Sequence, residues 1–149
     1  MILPDFKAFP RQGRLLGIDW GQRRIGVAVS DEKRNFVFVR SAIVLQRGAT
    51  NHANLVAAIA KNEAVTGIIV GLPVFNDGTD SDTTKMVRGF INELAEITEL
   101  PICVLEENLT SVTAQENMGR VRVHDLKEKL DSESARVILE NAIAMINRA

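Results

Sequence analysis

Residues 15–31 read LLGIDWGQRRIGVAVSD, two short apolar runs joined by a Gly-Gln turn region, with Asp19 closing the first run. Short apolar segments bounded by glycine and lacking helical spacing predict a pair of antiparallel strands. A carboxylate at the end of such a strand is costly to bury alone, so it titrates, pairs with a base or holds a metal ion. Arg23 and Arg24 lie close enough in sequence to serve as its partner.

Working outward, NFVFVRSAIV supplies a third strand, since Phe36, Val37, Phe38 and Val39 are β-formers without helical period. NHANLVAAIAKNEA then sets Leu55, Ala58 and Ile59 at helical spacing behind an asparagine cap. TGIIVGLP is a continuous apolar run ending in Gly and Pro, the pattern of a strand covered on both faces. After the loop VFNDGTDSD, a helix is expected over about residues 83–98 with Met86, Val87, Phe90, Ile91, Leu94 and Ile97 on one face. PICVLEE is the fifth strand, and LTSVTAQENM can begin a helix. GRVRVHDLKEK reads as an exposed connection, and DSESARVILENAIAMIN closes the chain as a helix.

This order predicts an α/β fold with a central five-stranded mixed sheet, three antiparallel strands followed by two parallel ones, and helices on its faces. The opening residues 1–12, with two prolines and mixed polarity, read as an arm, leaving residues 13–149 as one domain. The single cysteine, Cys103, sits in an apolar run and reads as core. No stretch is apolar enough to span a bilayer, and the first residues lack a secretion signal, which points to the cytoplasm. The net charge of -1 argues against a surface that is basic throughout, yet residues 1–50 carry 9 Lys+Arg against 4 Asp+Glu. That local excess fits either a phosphate-binding face or ordinary solvated charge.

In open sheets, sites form beyond the carboxyl ends of the parallel strands. Asp19 and the pair Glu106-Glu107 both fall at such ends. If those strands were neighbours, the acids would lie close together, and a hard divalent cation would let both stay ionised. All-oxygen ligation favours Mg²⁺ or Mn²⁺ over zinc, and His52 and His124 have no ligand spacing and read as solvent-facing. Strand alternation allows only one of Glu106 and Glu107 to face Asp19, and the apolar PICVL run does not say which. Asp131 precedes the stripe Ala135, Ile138, Leu139, Ala142 and Ile146 by one turn. It either joins the other acids or caps the helix.

GIDWGQRRIGVAVSD, GLPVFNDGTDS, EENLTSVTAQ and LDSESARVIL resemble, in order and spacing, the motifs of the YqgF family, also called the RuvX-like Holliday junction resolvases. The resemblance covers residues 13–147 and implies an RNase H-like fold and a metal-dependent nuclease. It also implies a role in processing the 5′ end of precursor 16S ribosomal RNA, with Holliday junction cleavage as the alternative substrate. Carried over by position, the family's acids fall on Asp19, Glu107 and Asp131, which would be both catalytic and metal-binding. Two departures stand out: Glu106 replaces the family's Asp, and Asn108 replaces its Arg, removing a cation that could hold phosphate.

The resulting expectation is hydrolysis of a phosphodiester with Mg²⁺ or Mn²⁺ at these acids. Arg23 and Arg24 would hold phosphates without sequence choice. The expected partner is a structured RNA or a branched DNA and not a membrane, with the protein a monomer or homodimer. Few aromatics, with Trp20 the only tryptophan, disfavour binding by a run of stacked bases. The loop Asn76, Asp77, Gly78, Thr79 either shapes substrate entry or is a plain turn, and Thr110 and Ser111 read first as helix caps. Two other classes share parts of this pattern. One is an ATP-binding lobe of the actin or sugar-kinase type, which opens with a similar strand and turn. The other is an RNA-binding assembly module without turnover.

Overall fold

The computed structural model describes residues 1–75, 81–109 and 124–149, and their side chains except at 75, 108, 109 and 124–131. The elements in chain order are β1 (Leu15–Asp19), β2 (Arg24–Ser30), β3 (Val37–Val44), α1 (His52–Asn62), β4 (Gly67–Phe75), α2 (Asp82–Ile97), β5 (Ile102–Leu109) and α3 (His124–Arg148). The loop containing Asn76, Asp77, Gly78 and Thr79, and the segment with Thr110 and Ser111 that was expected to begin a helix, lie outside the described residues.

The five strands form one sheet in the order β3-β2-β1-β4-β5. β1 pairs antiparallel with β2, and β2 with β3, while β4 runs parallel to both β1 and β5. This is the RNase H-like arrangement expected, with both crossovers supplied by helices.

Alternation along the strands divides the core in two. Leu16, Ile18, Ile68, Val70 and Ile102 face α1 and α2, where Val56, Val87, Phe90 and Leu94 cover them. Leu15, Ile69, Cys103 and Leu105 face α3 and meet Ala135, Ile138, Leu139, Ala142 and Ile146. Gly17 allows that second layer to close. A Cβ there would lie 2.8 Å from Leu139 Cβ and 3.0 Å from the Ala135 carbonyl oxygen, so the missing side chain sets the distance between α3 and β1.

Several local expectations need correction. α2 begins one residue earlier than the pattern suggests, because Ser81 and Thr84 form a reciprocal capping box. The Thr84 hydroxyl also donates to the Pro73 carbonyl at 2.6 Å, fixing the start of α2 to β4. Met86 and Ile97, placed on the apolar face by periodicity, are exposed. Asn51 precedes α1 without a side-chain capping bond. The last helix begins earlier than expected, at His124: Leu, Lys and Glu in DLKEKL are strong helix formers, and their polarity resembled a loop.

The opening residues do not stand apart from the core. Ile2 bridges Ile102 on the outer edge of β5, and Phe6 and Phe9 are buried in the layer beneath α3. Arg11 then donates to the carbonyls of Ile146 and Ala149, tying this segment to the end of α3. Among the described residues, no helix is long and apolar enough to cross a membrane.

Candidate active site

Asp19 ends β1 opposite Gly26 of β2. Its neighbours at two-residue spacing, Gly17 and Leu15, both meet α3 or its core layer, so alternation places Asp19 on the α3 side of the sheet. On β5 the same layer contains Cys103 and Leu105, so Glu107 belongs to it, whereas Glu106 falls on the opposite side. Burial agrees: Glu107 is half-buried and Glu106 exposed.

β1 and β5 are not neighbours, so the condition under which the two acids would lie on adjacent strands is not met. β4 runs between β1 and β5, placing their strands about 10 Å apart. The residue that fills this interval is Gly71, which pairs with Leu105 and follows Val70, the partner of Ile18. A Cβ at Gly71 would lie 3.5 Å from Glu107 Oε2 and would collide with Ile138 Cδ1. A glycine here lets Ile138 of α3 close down onto β4 beside Glu107. Sequence reasoning missed it, although a lone glycine within the apolar run IIVGLP is a signal of close approach.

Burial also pushes the Glu107 carboxyl above its ordinary value, because the charged form is poorly solvated there. A compensating positive charge would reverse that penalty. Asp131, the third expected acid, belongs to the helical turn preceding Ala135, and its side chain lies outside the described residues. The next residue, Ser132, is buried and donates to the Arg40 carbonyl at 2.6 Å, which fastens this end of α3 to β3. Among the described residues, no three His, Cys, Asp or Glu side chains gather as an ion site.

Arg23 is exposed at the β1–β2 turn, where its Nε donates to the Leu45 carbonyl at 3.2 Å. Arg24 is half-buried and directly precedes Ile25, which packs in the α1/α2 layer, so alternation sets Arg24 on the side of Asp19. Trp20 turns the other way. Its ring lies 5.4 Å from that of His52 and 6.4 Å from that of Phe90. His52 is therefore not simply solvent-facing: it covers Trp20 and contacts the Gln22 carbonyl at 2.8 Å. The side chain of His124 lies outside the described residues.

A mixed sheet with acids at the carboxyl ends of its parallel strands, beneath a long final helix, defines the RNase H-like class. A family model described as RuvX, Holliday junction resolvase, matches residues 13–145. A protein of Maridesulfovibrio salexigens named "Putative pre-16S rRNA nuclease" is 35% identical over 133 residues, covering 88% of this chain and 98% of its own. Its namesake from Sphingopyxis alaskensis is 36% identical over 148 residues, covering 97% and 96%. The chain belongs to the RuvX family. Among solved structures, Thermus thermophilus RuvC in complex with a Holliday junction substrate is similar with a TM-score of 0.48 and 11% identity, covering 89% of each chain.

Proposed function

We propose that this chain is a metal-dependent nuclease that hydrolyses phosphodiesters at the 5′ end of precursor 16S ribosomal RNA in the cytoplasm. The observation that supports the reading is that Asp19 and Glu107 lie on the same face of the sheet, at the carboxyl ends of β1 and β5 on either side of β4. Asp19, Glu107 and Asp131 would hold Mg²⁺ or Mn²⁺. The donor set fits such a cation: the acids offer only oxygen, and half-buried Glu107 gains its charge most readily beside a cation. When bound, a divalent cation supplies charge neutralisation and Lewis-acid polarisation of the phosphoryl group.

The chain's own groups do the positioning. Ser132 fastens α3 to β3, and Gly17 lets α3 close on β1, so the turn with Asp131 is held over the sheet. Arg24, on the side of Asp19, and exposed Arg23 at the turn would bind phosphates flanking the scissile one. Gly71 lets Ile138 of α3 pack down onto β4 between the two acid-bearing strands. Asn108 cannot supply the positive charge of the family's Arg, and Arg23 and Arg24 at the β1–β2 turn offer cations for phosphate on the side of Asp19 and at the rim.

The test compares wild type with Asp19→Asn and Glu107→Gln on labelled precursor rRNA, with and without Mg²⁺. Cleavage by wild type that needs Mg²⁺ and falls by at least about a hundredfold in each variant is expected. Equal cleavage by all three proteins would end the nuclease reading. Equal inactivity with retained RNA binding would leave an assembly module. The description of the matched family favours a second substrate, a four-way DNA junction, which is run in parallel.

A further inference from the structure

On the α1/α2 side of the sheet, beside the strand end that carries Asp19, lies a cleft of about 810 Å³ lined in part by Trp20. A volume of this order accepts a ligand of nucleotide size. The β1–β2 turn and the loop before α1 contribute Arg23 and Arg47, while α2 contributes Met86, Gly89 and Glu93. The last three are spaced i, i+3, i+7 and so run along one side of the helix.

The chemistry of these groups is mixed in a specific way. Both arginines are exposed, and among the described residues Arg23 commits only its Nε, to Leu45, while Arg47 makes no hydrogen bond or ion pair. Met86 keeps 42% of its surface exposed, and nothing lies within 4 Å of a Cβ placed on Gly89, so the slot above α2 is open. Trp20 Nε1 is buried without a hydrogen-bond partner among the described residues. Two exposed guanidiniums with uncommitted N–H groups would by themselves describe an anion site. Glu93 opposes that reading, because a carboxylate only accepts hydrogen bonds and repels a bare anion. Phosphate-binding cations, an apolar slot and an acceptor for N–H groups are together the complement of a nucleotide.

We propose that this cleft receives one unpaired nucleotide of the substrate strand. Its phosphate lies on Arg23 and Arg47, its base rests against Met86 above Gly89, and the base N–H groups turn to Glu93. The substrate assignment rests on the nuclease reading: a strand crossing the rim between Asp19 and Trp20 has the acids on one side and the cleft on the other. Guanine is the preferred base, since its Watson–Crick edge offers two adjacent N–H groups to one carboxylate.

Trp20 is the only tryptophan, so its fluorescence reports on the cleft directly. Metal-free Asp19→Asn protein is titrated with the four nucleoside 5′-monophosphates, inorganic phosphate and guanosine. A saturable response to the monophosphates, strongest for guanosine monophosphate, is expected. Binding should weaken about tenfold in Arg47→Ala. It should disappear in Gly89→Leu, which fills the slot without changing charge, and circular dichroism of that variant should match wild type. An equal response to inorganic phosphate, marking an anion site only, or an unchanged titration in Gly89→Leu, overturns the proposal. Nucleotide binding by a protein that cleaves neither RNA nor junction DNA supports the cleft and removes only the nuclease reading. Cleavage without any nucleotide response overturns the cleft alone.

Discussion

Gly17→Ala tests how the sheet and α3 fit together. The new methyl would meet Leu139 Cβ at 2.8 Å and the Ala135 carbonyl oxygen at 3.0 Å. Neither atom is the loose end of a side chain, so relief requires the helix to lift by roughly half an ångström over a close-packed layer. Overpacking of this kind costs about 1–3 kcal/mol, and the rigidity of the opposing atoms argues for the upper part of that range. Against it stands about 0.4–1 kcal/mol from the narrower unfolded ensemble of alanine. The net is a loss of about 2 kcal/mol, or about 4–8 °C in thermal midpoint for a domain of this size. Urea denaturation should show the midpoint falling with the slope unchanged. Gly89→Ala is the internal control: its Cβ meets nothing within 4 Å, and alanine in a helix interior should gain about 0.5–1 kcal/mol. If Gly17→Ala were as stable as wild type, or the two variants shifted in the same direction, the packing explanation would be wrong.

Glu63 offers a pH-dependent prediction. The hydrogen bond from Arg40, with the charges of Arg40 and Arg14, holds its carboxyl below the ordinary value of 4.5. Its contribution is therefore complete above about pH 4.5 and is lost as pH falls toward the lowered folded value, so urea midpoints of Glu63→Gln and wild type should converge in acid. Burial pushes the Cys103 thiol up to about 11, so a thiol reagent at neutral pH should label it only as fast as the protein opens, with rapid labelling in denaturant. Removing the capping box with Ser81→Ala should cost about 1 kcal/mol in a denaturation curve. Gly71→Ala should lower the urea midpoint by an amount equivalent to about 1–3 kcal/mol, because its methyl would collide with Ile138 Cδ1 in the layer under α3.

The parts of the fold that local pattern controls were legible. The strand pair around Asp19 and the apolar stripe of α3 follow from side-chain period, and an acid at the end of an apolar strand is conspicuous by its desolvation cost. What local pattern does not carry is which strands become neighbours. The insertion of β4 between β1 and β5 depends on two crossovers, and with it the role of Gly71. Phe6 and Phe9 have no periodicity of their own, because their burial depends on α3, more than a hundred residues later. Glu106 and Glu107 could not be separated because both faces of PICVL are apolar; the register against α3 supplies the distinction. His52 looked unremarkable because its partner Trp20 is distant in sequence.

The late position of α3 bears on synthesis. A nascent chain that has emerged through Leu109 possesses all five strands but lacks the helix that shields Leu15, Ala28, Ile69, Cys103 and Leu105. Such an intermediate presents a greasy plane to its surroundings and is a natural client for chaperones. Because the same helix carries Asp131, the shelter for the apolar layer and the last of the proposed metal-holding acids arrive together, so on that reading an unfinished polypeptide would be sticky before it could cut.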